Sequence, residues 1–190
     1  DTGRDVCRRG VTQVHALSMD GGSDASDYRL GATVLDQTGI VPNSELQRYT
    51  VAVNAGQQFK RGLQARLAAN YVRTTSAGRP SQGQNTPNIP MSLWTFAPRT
   101  LSTEFLRDTR VAPDGRAGSI DGTGTSNNPY WVTDNNGLNN AVDRLFGSAN
   151  LQYDPTSWLN VSFRAGTVGL ALSATESVAP AGSTGGTATT

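Results

Sequence analysis

The sequence predicts an all-β protein built as an antiparallel up-and-down meander of about six strands. The sheet is expected to be open and curved, a partial transmembrane β-barrel with one very long extracellular loop. Three observations predict this. Apolar and polar residues alternate with a period of two in six separate runs. Connections are short at one end of the runs and long at the other. Aromatic residues gather near the ends of the runs, on the apolar side.

The runs follow in order. In residues 12–20, His15, Leu17 and Met19 share one face while Ser18 and Asp20 take the other. In 27–35, Tyr28, Leu30, Ala32 and Val34 oppose Asp27, Arg29, Gly31 and Thr33. The third run, 48–59, sets Tyr49, Val51, Val53 and Ala55 against Arg48, Thr50, Asn54 and Gly56. The fourth, 63–73, sets Leu63, Ala65, Leu67, Ala69 and Tyr71 against Gln64, Arg66, Ala68 and Asn70. Run 143–153 puts Leu145, Ala149, Leu151 and Tyr153 opposite Arg144, Ser148, Asn150 and Gln152. Run 159–167 puts Leu159, Val161, Phe163 and Ala165 opposite Asn160, Ser162, Arg164 and Gly166. Each reads as a strand with one apolar and one polar face.

The connections 21–26, 57–62 and 154–158 are of hairpin size and carry Gly, Asp, Pro or Ser. Between them lie 36–47 and the loop 74–142. A compact domain rarely holds about 70 residues between neighbouring strands. Short turns on one rim with long loops on the other fit an outer-membrane barrel, and runs of about 10 residues suit tilted bilayer-crossing strands.

The short turns define a lower rim. Tyr28, Phe59 and Tyr153 then sit low and Tyr49 and Tyr71 high, all on the apolar face, as membrane-interface aromatics do. Trp158 falls at a lower turn, whereas Phe146 on the polar face and Phe163 in mid-strand fit the pattern less well. The polar face carries Arg48, Arg66, Asn70, Arg144, Asn150 and Arg164, which are expected to line the lumen. An arginine on the lipid side would cost about 2–4 kcal/mol at mid-bilayer.

Within the long loop, Pro87, Pro90 and Pro98 favour extended, turn-rich backbone. Residues 102–106 can begin a short helix capped by Ser102 or Leu101. Trp94, Phe96, Tyr130 and Trp131 are candidate ligand contacts, by stacking on a sugar; the same rings could instead pin the loop to itself. Residues 169–190, rich in Gly, Thr, Ala and Ser, are expected to form a flexible tail outside the partial barrel of residues 1–168.

Composition narrows the function. The net charge is +1 with 16 basic and 15 acidic residues, which argues against nucleic acid as a partner. One cysteine, Cys7, and one histidine, His15, exclude a Cys/His zinc site and leave histidine-based triads little to draw on. Three glutamates, Glu45, Glu104 and Glu176, lack an acidic partner in strand context. An Asp36–Glu45 pair across its loop reads better as solvated, and Asp20, Asp24 and Asp27 lack EF-hand spacing. The glycine pairs fit no nucleotide-binding fingerprint. No enzyme, cofactor or metal is expected.

Arg9-Gly10-Val11-Thr12-Gln13-Val14-His15-Ala16-Leu17-Ser18-Met19-Asp20-Gly21-Gly22-Ser23 resembles the TGxTQNHNLSxSGGS passage of SusC/RagA-type TonB-linked outer-membrane transporters. Tyr28-Arg29-Leu30, Leu35-Asp36-Gln37-Thr38-Gly39 and Gln47-Arg48-Tyr49 follow in the same order. Asn70-Tyr71-Val72-Arg73, Asn128-Pro129-Tyr130-Trp131, Asp143-Arg144-Leu145-Phe146-Gly147 and Trp158-Leu159 continue it, so the likeness covers about Arg8 to Thr167.

The resemblance implies a TonB-dependent receptor barrel for nutrient uptake, importing oligosaccharides or peptides across the outer membrane of a Gram-negative bacterium of the Bacteroidetes type. Implied partners are outer-membrane lipid, a SusD-like lipoprotein lid, the ligand, and TonB, engaged through an N-terminal part outside this sequence. The chain is expected to be a fragment of that barrel, contributing wall and a ligand- or lid-facing loop, and not to work alone. Alternation by itself also allows a soluble or surface-attached β-sandwich that binds carbohydrate.

Overall fold

The computed structural model of the chain describes residues 7–60, 62–79, 100–120, 127–135 and 137–177. Six strands follow one another: β1 (Val11–Ser23), β2 (Ser26–Thr38), β3 (Glu45–Phe59), β4 (Leu63–Arg79), β5 (Gly137–Thr156) and β6 (Leu159–Ser177). Each pairs antiparallel with its sequence neighbour, giving one open sheet in the order β1-β2-β3-β4-β5-β6. β1 and β6 are its edges. The alternation read from the sequence is therefore realised as a meander whose register slips only between Ser76 and Arg79 and between Tyr153 and Thr156.

The strands reach further than the sequence indicated. β4 continues from Arg73 to Arg79, and β5 starts at Gly137 instead of 143, which shortens the long loop at both ends. The connection expected over 36–47 contracts to 39–44. β6 continues to Ser177, so residues 169–177 are strand and not tail, while 178–190 lie outside the described residues. The lower turns are 24–25, 60–62 and 157–158, against 39–44 and 80–136 above. The rim asymmetry persists through that last connection.

Part of it folds into a small cap. α1 (Thr103–Asp108) has Ser102 as its N-cap, whose hydroxyl accepts from Phe105 N at 3.1 Å. α2 (Pro129–Asn135) begins with proline, tolerated at a first helical turn because its missing N–H would have no partner there. Asn128 locks the two together. Fully buried, it donates from Nδ2 to Leu106 O at 2.7 Å and accepts from Tyr130 N on Oδ1 at 3.0 Å. Its own N–H donates to Gly118 O at 2.7 Å.

Among the described residues the buried hydrophobics are Leu106, Ile120, Trp131 and Val132, all in the cap. The sheet has no core. Leu17 is 77% exposed and Phe163 65%, and most other large apolar residues of the strands are exposed too, with Leu35, Leu46, Val53, Leu63 and Val72 half-buried. A contiguous apolar surface of that extent is unusual for a protein facing only water. No described helix is long and apolar enough to cross a membrane, which says nothing of strands.

The cap rests on the upper rim. Val41, in the β2–β3 connection, packs with Tyr130 against Val132, and Asn43 Nδ2 donates to Thr133 O at 2.9 Å. Gly78 passes close beneath: its φ is +62°, and a Cβ there would lie 1.8 Å from Asn43 O. Only glycine fits that position.

Candidate functional site

The candidate site is the sheet itself, because up to Gly166 on β6 the register sorts its side chains into two chemically different faces; above it Val168, Leu170 and Leu172 stand exposed on the polar face. One row reads Met19, Leu30, Val53, Ala69, Gly147 and Thr167; the row above it reads Leu17, Ala32, Val51, Tyr71, Leu145 and Gly169. Tyr28, Tyr49, Phe59, Tyr71 and Tyr153 all share this apolar face. Charge returns only at its upper end. There Tyr71 Oη donates to Asp143 Oδ1 at 2.5 Å, and Arg73 Nη1 stands 3.9 Å from the same oxygen.

The apolar band is not level with the hydrogen-bonded rows. Met19 is its lowest apolar residue on β1, and Met19's row arrives at Gly147 on β5; Tyr153, the lowest on β5, stands six residues further down. At the upper edge Val34 on β2 shares a row with Asp143, and Leu145 stands two residues below. The lower edge drops six residues from β1 to β3 and stays level to β5, where Phe59, Leu63 and Tyr153 share one row, while the upper edge drops two from β2 to β5. Averaged over both edges, the band descends by about one residue per strand. With about 3.3 Å per residue and about 4.8 Å between strands, that is a slope of about 35° to the rows.

The opposite face holds Arg48, Arg66, Asn70, Arg144, Asn150 and Arg164, all six polar positions expected to lie together. Arg66, Asn150 and Arg164 occupy one row on β4, β5 and β6, which continues through Gly56 to Asp27. Arg66 Nη2 lies 3.9 Å from Asp27 Oδ1 although β3 runs between their strands. Gly56 allows it, since a Cβ at that point would stand 2.4 Å from the Asp27 carboxylate. Both partners are well exposed, so the pair orients more than it stabilises. Arg29 faces Asp20 across β1 and β2, and Arg48 Nε donates to Thr74 Oγ1 at 3.3 Å.

Two depressions open on this face. One, of about 190 Å³, is bordered by Asp27, Gly56, Gln58, Gln64 and Arg66. The other, of about 310 Å³, has Ala68, Ser148 and Gly166 as its floor and Phe146, Val168 and Asn70 above. Phe146, the aromatic that fitted the strand pattern poorly, is therefore a wall of a cavity. Asp27 and Phe146 are the residues that sequence reasoning left out of the site; their place in the alternation was the available signal.

The loop aromatics divide. Trp94 and Phe96 lie outside the described residues. Trp131 is 7% exposed within the cap, which corrects its reading as a stacking surface: its ring is spent on packing. Tyr130 is half-buried on Val132, with the Arg107 guanidinium 5.5 Å from its ring centre. It too anchors the cap.

No protein-family model matches this chain, and no curated protein matches it to a significant degree.

Proposed function

We propose that the chain is a wall segment of an outer-membrane, TonB-dependent nutrient importer, its apolar face toward lipid and its arginine-bearing face toward an aqueous lumen. The observation that carries this reading is the descent of the apolar band across the strands. A membrane is flat, so a band that drops by about one residue per strand becomes level only when the strands tilt by about 35°, within the range of transmembrane barrels. Along β3 the run from Tyr49 to Phe59 then climbs about 27 Å, close to the apolar height of about 25 Å in such barrels. A sandwich core would need no such drift.

In this reading the cap of α1 and α2 stands on the outer rim, where it meets incoming oligosaccharide or peptide, or a SusD-like lipoprotein lid. TonB acts through a part of the protein outside this sequence. The chain itself performs no catalysis. The test is solubility: the chain should need detergent to remain dispersed, and a monomer that stays in solution without detergent and melts sharply would favour the sandwich.

A further inference from the structure

We infer that the apolar face of β4, β5 and β6 holds one anionic phospholipid, an acyl chain lying in a lane of small residues and the phosphate at Lys60 on the lower rim. The inference rests on the importer reading and turns one partner of that reading, membrane lipid, into a ligand with a fixed site.

Shape is the first reason. Two apolar depressions open on the face that carries Leu67. The lower, of about 520 Å³, is lined on that side by Ala65, Leu151 and Phe163, among others. The upper, of about 280 Å³, reaches Leu145 and Thr167. Leu67 and Ala149 border both, so the two meet there.

Direction is the second reason. Ala65, Ala149 and Thr167 follow one another on β4, β5 and β6, each one row of the apolar face above the last. A step of one strand and two residues rises about 6.6 Å over about 4.8 Å, an inclination of about 54° to the rows. The level line of the apolar band falls toward β6 at about 35°, so the membrane normal climbs toward β6 at about 55°. The lane therefore runs up through the membrane and not around the wall. From Ala65 to Thr167 it measures about 16 Å, close to the hydrocarbon depth of one leaflet, about half of 30 Å. Leu67 walls it on one side and Leu151 and Phe163 on the other. A straight, narrow, apolar lane of that depth fits a single hydrocarbon chain.

Charge is the third reason. Continued downward by one step, the lane meets Phe59 and the β3–β4 turn. Lys60, the one lysine of the chain, is exposed in that turn and, among the described residues, enters no ion pair. The acids of the same rim are engaged elsewhere. Asp24 and Asp27 border the depression on the polar face, and Asp154 accepts from Gln152 and Asn160, which belong to that face. A phosphate at the foot of the lane thus meets an ammonium group with no competing partner. Phe59 and Trp158 stand exposed on this rim, as aromatics of a headgroup region do.

The full chain in detergent micelles is titrated with dioleoylphosphatidylglycerol or dioleoylphosphatidylcholine, and the lipid retained is counted by native mass spectrometry. Phosphatidylglycerol should level off at one molecule per chain and bind more tightly than phosphatidylcholine. Lys60→Gln should weaken phosphatidylglycerol about fivefold, the worth of one basic residue beside anionic lipid, and leave phosphatidylcholine unchanged. Ala149→Phe fills the lane and should abolish retention. Ala32→Phe, equally large on the same face but off the lane, should keep it. Circular dichroism verifies that each variant keeps its strands; should Ala149→Phe lose them, Ala65→Leu decides in its place. No retained lipid, several lipids with no plateau, equal binding of the two phospholipids, or an Ala149→Phe of intact strand content that binds as the parent does would each overturn the proposal. So would a lipid-free dimer, in which a second copy covers the lane. The importer reading is judged separately, by whether Leu67 faces detergent. If it does and no phospholipid is retained, only the lipid site falls.

Discussion

Asn43 and Thr133 are joined by a 2.9 Å hydrogen bond across 90 residues of sequence, from the side chain of the β2–β3 connection to the backbone of α2. This bond, with the Val41–Val132 contact beside it, fixes the cap to the rim of the sheet. The cap is the one part of the chain with a buried interior among the described residues, and the sheet beneath it has none. Cap and sheet should therefore respond differently to mutation.

Asn128→Ala removes the buried amide that ties Leu106 O to the start of α2. Leaving those backbone groups without a partner should cost about 1–3 kcal/mol. The expected outcome is faster tryptic cleavage after Arg107, Arg110 and Arg116, with strand content by circular dichroism unchanged. Loss of strand signal alongside would show that cap and sheet fold as one unit.

Gly78→Ala places a methyl group against Asn43 O at a left-handed backbone position. A cost of about 1–3 kcal/mol is expected, seen as a lower denaturant midpoint. Because Gly78 lies on the strand that carries the cap's rim, the same variant should loosen the Asn43–Thr133 junction and quicken cleavage in the cap. A midpoint equal to that of the parent would place the strain elsewhere.

Leu67→Arg and Arg66→Leu exchange chemistry between neighbouring positions of β4. On a lipid-facing position an arginine costs about 2–4 kcal/mol near mid-bilayer, whereas a leucine facing water costs far less. The first variant should lose most of its resistance to urea in detergent micelles, and the second should nearly retain it. Similar losses in both would remove the distinction between the faces.

The open edges carry their own expectation. β1 and β6 each present a row of backbone groups with no partner strand in the sheet, and in hydrocarbon each such group costs several kcal/mol. The 190-residue chain alone, mixed with phospholipid vesicles, should not become a protease-resistant monomer. A resistant monomeric band on a gel would show that the edges close on each other.

The strands were legible where one face is apolar and the other polar, as from Leu63 to Tyr71. They stopped being legible where that contrast ends. Thr74, Thr75 and Ser76 on β4 and Asn139 and Asn140 on β5 are polar on both faces, so period-2 reading missed the upper extensions. On β6 the apolar phase changes at Gly166–Thr167: Phe163 and Ala165 lie on one face, Val168, Leu170 and Leu172 on the other. A strand whose oily side switches looks like the end of a strand. The Ser102 cap was readable because it is local, whereas the role of Asn128 depends on Leu106 and Gly118, which only folding brings near. Within the site, the six polar positions followed from alternation, but the reach of Arg66 over Gly56 to Asp27 required the register.

The most direct measurement is a nitroxide scan along β4, one label at a time from Leu63 to Arg73, in detergent micelles, reading collision with oxygen against a water-soluble nickel chelate. The account predicts oscillation with a period of two, Leu67 and Ala69 open to oxygen and Arg66 and Asn70 open to nickel. Labels at Leu67 and Arg66 shielded from both reagents, as in a dry protein interior, would contradict it.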